Sequence, residues 1–302
     1  MSDQLERWYA RLLWMYPAAY RRDRGAELLA TLVESAEPGQ ARPSLRESTA
    51  LVLAGLRARA GVVDRRPARL TWLSSLRTGA LMLLVYNVAL NALSVGLNVP
   101  SGIYDDPFKT PGWALDYLPM VPCIWAIIAV LRSRYPTAVA AAALAFAIQV
   151  MDVPVNVGFE SWPWPLLNVS PMLPLAIGLL IPLARVHPAV APGSLISLAT
   201  VPVLYIVVQY LLIIRADVSF WSVRLAWMAA LCLFGVVWAA VDERVGLALG
   251  LLLLNDLLNE PGMIFVANWD LPQRVISGSL AVIAPAVLLA VGTMRARRQA
   301  QL

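Results

Sequence analysis

Carboxylate and amide side chains gather at the end of one long apolar run. The run spans Leu247 to Glu260 and reads LALGLLLLNDLLNE. Its polar residues are Asn255, Asp256, Asn259 and Glu260. The two acids are one helical turn apart, and two close carboxylates repel unless a proton, an arginine or a cation lies between them. Arg224 and Arg274 are the candidate partners, and the group predicts binding of a cation, a proton or a small polar ligand.

Three other apolar helices end in a similar way, and one of them, the fifth predicted span, ends with Gln209. The other two carry Asn87 and Asn91 on one helix, and Asp152 and Asn156 on the other. Each pair lies on one helix face. Pro154 cannot donate a backbone hydrogen bond, which frees the carbonyl of Val150, and transporters use such broken positions to build sites. Together with Arg224, these side chains predict one polar site. Two alternatives remain: hydrogen bonds that only join helices, and polar ends placed where the helices stop.

Residues for catalysis are poorly represented. His187 is the single histidine, which excludes a site built from several histidines. The sequence contains no HExxH, GxSxG or GxxxxGK pattern. Cys123 and Cys232 fall inside apolar runs, where a thiol behaves as a small hydrophobic group. We therefore expect no enzymatic activity, no catalytic residue, no metal and no cofactor.

The elements that position these side chains are predicted to be membrane helices. Hydrophobic residues make up 59% of the chain and charged residues 14%, against about 45–50% and about 25% in soluble domains. A span needs about 20 mainly apolar residues. The sequence contains eight such segments, near 78–98, 113–131, 136–157, 168–184, 195–214, 220–241, 245–259 and 275–294. The predicted fold is all-α: a polytopic bundle of about eight spans in four hairpins over 70–302, preceded by a small three-helix cytoplasmic domain and basic linker over 1–69.

The distribution of arginine predicts the orientation of the bundle. Bases cluster before the first span and in the loops on one side: Arg132, Arg134, Arg185, Arg244, Arg295, Arg297 and Arg298. Cytoplasmic loops carry such an excess, so both termini are expected in the cytoplasm and the polar helix ends in the outer half of the bundle. The net charge of +5 follows from this pattern, and no direct nucleic-acid binding is expected.

Residues 1–69 show helical signals of a different kind. Asp3 with Glu6, and Ser44 with Glu47, have the spacing of a capping box. Apolar periodicity then predicts helices over about 3–15, 17–36 and 44–60. Three short helices supply only a small core, so we expect this domain to lean on the membrane or on a partner.

A short motif follows the first helix. It reads Met15-Tyr16-Pro17, Tyr20-Arg21, Arg24-Gly25 and Glu27-Leu28. Residues 5–60 resemble the HAAS-like helical domains at the N-terminus of many actinobacterial membrane proteins, which are often associated with PadR-family transcription regulators. Tyr20 and Arg24 stand where that family most often has Trp and Tyr. The resemblance implies a sensing or docking module, with Tyr16, Pro17, Tyr20, Arg21, Arg24, Gly25 and Glu27 as the docking candidates.

The sequence leaves three functions open. The first is a signalling or regulatory membrane protein whose N-terminal domain docks a cytoplasmic partner. The second is a permease or transporter that uses the polar ends at Asp152 and Asp256. The third is a structural membrane scaffold. The resemblance favours the first, and the expected partners are the lipid bilayer and, through residues 1–60, a cytoplasmic protein.

Overall fold

The predicted helical character of the chain is confirmed in a computed structural model. The structure describes residues 2–37, 40–59, 68–98, 118–157, 171–186, 200–216, 220–266 and 271–301, which contain eleven α-helices and no strand. Three helices form the N-terminal part: α1 (Ser2–Leu13), α2 (Ala18–Glu34) and α3 (Leu45–Arg59). Eight helices follow: α4 (Ala68–Asn98), α5 (Met120–Leu131), α6 (Tyr135–Val157), α7 (Met172–Val186), α8 (Thr200–Ala216), α9 (Phe220–Trp238), α10 (Glu243–Val266) and α11 (Leu271–Gln301).

Helix α4 is the centre of the bundle formed by α4 to α11. It packs against α5, α7, α8, α10 and α11. Residues Ala80 to Leu84 are each at most 4% exposed, as expected for a helix that is apolar on all sides. Its 31 residues extend over roughly 46 Å. Side chains on α4 can therefore contact polar groups at either end of the bundle.

The eight helices lie where eight spans were predicted, but they differ in length. Within the described residues, two segments are long and apolar enough to cross a membrane: Arg69–Leu93 and Leu271–Arg298. Five apolar helical segments are shorter: Met120–Leu131, Tyr135–Met151, Met172–Val186, Thr200–Gln209 and Ser222–Trp238. The linker over 61–67 and the predicted span starts at 113–117, 168–170 and 195–199 lie outside the described residues. The eight-span arrangement stays a prediction.

Helices α10 and α11 approach each other closely because glycine lies in their contact. A Cβ atom added to Gly292 would lie 2.7 Å from the Cγ atom of Leu247, and one added to Gly250 would lie 2.9 Å from the Cγ atom of Leu289. Gly278, also on α11, has nothing within 4 Å of that position. Small residues allow such helices to gain van der Waals contact over their whole length. This packing holds α10 and α11 in a fixed register.

The N-terminal helices share a small core, as the sequence predicts. Helix α1 packs against both α2 and α3, with Leu5, Tyr9 and Leu51 buried between them. Gly55 lets α3 approach the end of α1, since a Cβ atom there would lie 2.8 Å from the Cβ atom of Met15. Helix α2 has no buried residue. The rest of the chain thus covers α2 only in part.

The predicted capping box at the start of α3 is confirmed. The Ser44 amide donates to Oε2 of Glu47 at 2.9 Å, and the Glu47 amide donates to Oγ of Ser44 at 3.2 Å. Oε2 of Glu47 also accepts from Gln40 Nε2 at 3.1 Å and from the Tyr9 hydroxyl at 3.2 Å. The capping box predicted at Asp3 is wrong, because α1 begins one residue earlier and Asp3 lies inside the helix.

These contacts make the N-terminal part sensitive to acid. The Ser44 amide, assisted by Gln40 and Tyr9, holds the pKa of Glu47 below its ordinary value of about 4.5. A lowered pKa in the folded state means that the unfolded chain takes up the proton first, so the stabilisation is complete at pH 7 and is lost as the pH falls through the folded value. We expect Glu47→Gln to increase hydrogen exchange in α1 and α3 relative to the unmodified chain at pH 7.

The difference should begin to shrink as the pH falls below about 4.5, where the unfolded chain takes up the proton, and should vanish only below the lower pKa of Glu47 in the folded chain. Hydrogen exchange followed by mass spectrometry at each pH measures it. Glu34→Gln, which removes an exposed acid at the end of α2, is the control and should change neither helix. An equal effect of Glu47→Gln at pH 7 and pH 3.5 would contradict the assignment to the charged carboxylate.

Candidate functional site

Arg224 joins three helices of the bundle. It lies on α9 and is 3% exposed. Its NH1 donates to Oγ of Ser277 on α11 at 3.2 Å, and its NH2 donates to the carbonyl of Asp256 on α10 at 3.4 Å. Its Nε lies 3.7 Å from Oδ1 of Asp256. The predicted partnership of Arg224 with the acids of α10 is therefore present, and it forms the polar centre of the site.

Aromatic side chains from α4, α8 and α9 surround this pair. Tyr205 stacks on Trp227 with ring centroids 4.8 Å apart, and Tyr86 meets Tyr205 edge to face at 5.8 Å. Both tyrosines lie within electrostatic range of Arg224 and Asp256. A tyrosine pair beside an arginine supplies donors and acceptors for a polar ligand. Sequence reasoning missed both tyrosines, although Tyr86 immediately precedes the predicted Asn87.

Asn87 and Asn91 form a separate polar contact. Nδ2 of Asn91 donates to the carbonyl of Asn87 at 2.8 Å and to its Oδ1 at 3.2 Å. The thiol of Cys123 on α5 donates to the same Oδ1 at 3.5 Å. Asn87 is 1% exposed, so its amide oxygen is fully used within the protein. These contacts match the alternative in which asparagine holds two helices together.

Asn255 differs from Asn87 in one respect. It is 1% exposed and lies next to Asp256, yet its Oδ1 has no hydrogen-bond partner in the described part of the structure. Leaving a buried acceptor unpaired costs about 1–3 kcal/mol. Asn259, one turn further along α10, is partly buried. A buried amide oxygen without a partner is able to accept a hydrogen bond from a ligand or to bind a cation.

Three predicted site residues fall where the structure gives the helix but not the side chain. Asp152 and Asn156 lie within α6, and Glu260 lies within α10; their side chains lie outside the described part. Their role as ligands stays a prediction. Among the described residues, no group of three histidine, cysteine, aspartate or glutamate side chains could hold a metal ion.

A second polar cluster lies at the end of the bundle nearest α3, where the sequence predicts only loop charges. Asp242, in the turn from α9 to α10, is 1% exposed, and Arg244, in the first turn of α10, is 5% exposed. Nε of Arg244 donates to Oδ1 of Asp242 at 2.8 Å, and the Arg244 amide donates to the same atom at 3.0 Å. Oγ of Ser75 on α4 donates to the carbonyl of Arg244 at 3.3 Å. The cluster fixes the start of α10 against α4.

The N-terminal part contacts the bundle beside this cluster. Arg57 on α3 donates to the carbonyl of Ala240 from Nε at 3.1 Å and from NH2 at 2.8 Å. Ala240 lies in the turn that joins α9 to α10. Since α9 carries Arg224 and α10 carries Asp256, this turn connects α3 to both helices of the polar site.

The predicted docking residues divide into two sets. Tyr16 is buried, 6% exposed, and stacks on Tyr20 with centroids 5.1 Å apart, and Arg21 lies over the ring of Trp14 at 4.7 Å. Pro17 precedes α2 and starts it. These four motif residues, Tyr16, Pro17, Tyr20 and Arg21, build the corner between α1 and α2. Arg24 and Glu27 are exposed on α2, and Gly25 is partly buried between them.

No family model matches the chain, and comparison with curated proteins and with solved structures finds no similar protein. The resemblance to HAAS-like domains therefore stays a prediction from residues 5–60.

Proposed function

We propose that the chain is a multi-pass integral membrane protein with both termini in the cytoplasm. Large apolar side chains on the outside of the bundle support this: Trp125, Leu144, Leu233, Val237 and Ile283 are 55–67% exposed. Water would disfavour so many exposed apolar groups on one protein, whereas lipid chains would cover them. The apolar groove of α5 and α6, lined by Trp125 and Leu144 among others, is a surface for the same chains.

Within that membrane the protein acts in signalling or regulation. The observation that carries this proposal is the pair of hydrogen bonds from Arg57 to Ala240. Arg224 and Asp256 each lie sixteen residues from Ala240, roughly 24 Å along a helix. A ligand that changed the Arg224–Asp256 contact would shift α9 against α10, and the turn at Ala240 would carry the shift to α3. Allosteric coupling links two distinct sites through two states of the protein, and in this proposal the turn at Ala240 joins the two sites.

The output of the signal is docking of a cytoplasmic protein on α2. That helix has no buried residue, and Arg24 and Glu27 on it are exposed. Gly25 has only the Cβ atom of Arg21, 3.8 Å away, near the position of an added Cβ. A larger residue at Gly25 would fit the chain itself but would change the surface that a partner meets.

The proposal is tested with the full-length chain in nanodiscs and cytosol from its own cells. We expect a captured protein to be lost with Arg24→Ala/Glu27→Ala and retained with Arg22→Ala/Glu34→Ala, which removes the same charges from other exposed positions of α2. Equal capture by both variants would refute docking on this face. Capture of a second copy of the chain alone, detected as a doubled mass, would refute it too.

A permease is the second candidate, and the unpaired Oδ1 of Asn255 is the observation that favours it. In that case the oxygen binds solute or a coupling cation beside Asp256. Asn255→Leu removes this oxygen and should abolish flux in proteoliposomes of the full-length chain. Absence of flux for the unmodified chain across a broad panel of solutes would exclude transport of those solutes and leave the regulatory function.

A further inference from the structure

The N-terminal part contains a basic pocket that lies apart from the docking face on α2. Its volume is about 270 Å³, and it is lined by Gln4, Arg7, Trp8, Arg11 and Arg42. The first four residues share one face of α1, because they are separated by one and two helical turns. Arg42 comes from the loop before α3. Among the side chains that the structure describes, three arginines and no acid line the pocket.

Trp8 positions two of these arginines. The guanidinium carbon of Arg11 lies 5.4 Å from the indole centroid, and that of Arg42 lies 5.7 Å from it. A guanidinium group over an aromatic face is held by cation–π attraction, and its N–H groups remain at its edge. Two planar donors are therefore held against the same ring before any ligand binds.

The loop that carries Arg42 is fixed to α1 by hydrogen bonds. Nε2 of Gln40 donates to the carbonyl of Arg42 at 3.0 Å and to Oε2 of Glu47 at 3.1 Å. Glu47 accepts in turn from the hydroxyl of Tyr9, the neighbour of Trp8 on α1. The position of Arg42 relative to Trp8 is thus determined by the cap of α3.

We propose that this pocket binds a phosphate group. Guanidinium forks donate two parallel hydrogen bonds to oxyanions, and a phosphate dianion offers more oxygens and more charge than a carboxylate to the forks of Arg11 and Arg42. The volume fits a phosphate with a small substituent better than a peptide segment. The phosphate can belong to a small soluble molecule or to an anionic lipid headgroup. The site is independent of the regulatory function, since its five residues include none of the docking candidates.

Calorimetric titration of the full-length chain in a non-ionic detergent tests the proposal. The probes are inorganic phosphate, dioctanoyl phosphatidic acid and, as a zwitterionic control, dioctanoyl phosphatidylcholine. Binding of inorganic phosphate supports a soluble ligand, and binding of phosphatidic acid alone supports a lipid headgroup. If neither inorganic phosphate nor phosphatidic acid binds, the proposal is overturned. Equal affinity for phosphatidylcholine overturns it as well.

Variants distinguish the pocket from general surface charge. Arg11→Gln/Arg42→Gln should weaken binding by about tenfold or more, because it removes two charged hydrogen-bond donors. Arg22→Gln/Arg46→Gln removes the same charge from exposed positions outside the pocket and should leave binding unchanged. Arg11→Lys/Arg42→Lys keeps the charge and the fold but loses the planar forks, so it should bind at an intermediate level. Equal loss in the first two double variants would overturn the site.

Discussion

Replacing Asp256 with alanine is expected to lower the free energy of unfolding by about 3 kcal/mol, the lower end of the range for a broken buried ion pair. Arg224 is 3% exposed, and the substitution removes its carboxylate partner. The lower end applies because the Asp256 side chain is 19% exposed and its Oδ1 lies 3.7 Å from Nε of Arg224. Reaction of the buried Cys123 thiol with a maleimide dye during heating reports unfolding of the bundle in detergent.

A double variant separates the ion pair from simple loss of packing. Arg224→Met/Asp256→Leu removes both charges and should recover most of the lost stability, since a buried pair replaced by apolar groups is often neutral or stabilising. Arg185→Met, which removes an exposed charge at the end of α7, should have no effect. If the double variant were as unstable as Asp256→Ala, the two side chains would stabilise the bundle by packing and not by their charges. The proposed coupling through the charges of this pair would then fail.

Helix positions were predictable because apolar runs and caps are local features of the chain. The Ser44–Glu47 box and the run that became α10 required no knowledge of neighbouring helices. Span number was harder to predict, because the residues between helices decide how far each apolar run extends. The 31-residue length of α4 shows this. Its first turns are polar, and they are helical because they pack at the end of the bundle nearest α3.

The contents of the polar site were only partly predictable. An arginine inside an apolar run needs an acid nearby, and few acids lie at that depth, so Arg224 was predicted, together with Arg274, as a candidate partner of Asp256 and Glu260. The neighbour of Asn87 did not follow, because one helix does not specify which other helix faces it. Asn87 contacts Cys123, whereas the preceding Tyr86 turns toward Tyr205 and the ion pair.

The docking motif shows the same limit. Sequence similarity groups Tyr16 with Arg24 as neighbours in one pattern, but burial separates them: the first is packed in a corner and the second is exposed. A motif can preserve a fold and a binding surface together, and only the exposed part can contact a partner. Variants of Tyr16 would therefore report folding, and variants of Arg24 would test the proposed docking.

The largest effect is expected at the turn that joins α9 to α10. Asp242→Ala should cost about 4 kcal/mol, because both members of its pair are nearly inaccessible and Oδ1 also accepts from the Arg244 amide in the first turn of α10. The substitution thus removes a charge partner and a helix cap together. Asp242→Asn keeps a capping oxygen and loses the charge, so it should be less damaging by about 1 kcal/mol.

The contribution of the Asp242 charge is isolated by removing its partner Arg244 as well. Asp242→Asn/Arg244→Met retains the cap and leaves no buried charge at this pair, so its unfolding midpoint should return toward that of the unmodified chain. The maleimide assay on Cys123 measures all three variants on one scale. Equal midpoints for Asp242→Ala and the unmodified chain would show that the turn tolerates the loss of the Asp242 carboxylate. In that case it could not hold Ala240 firmly enough for Arg57 to follow the movement of α9 and α10.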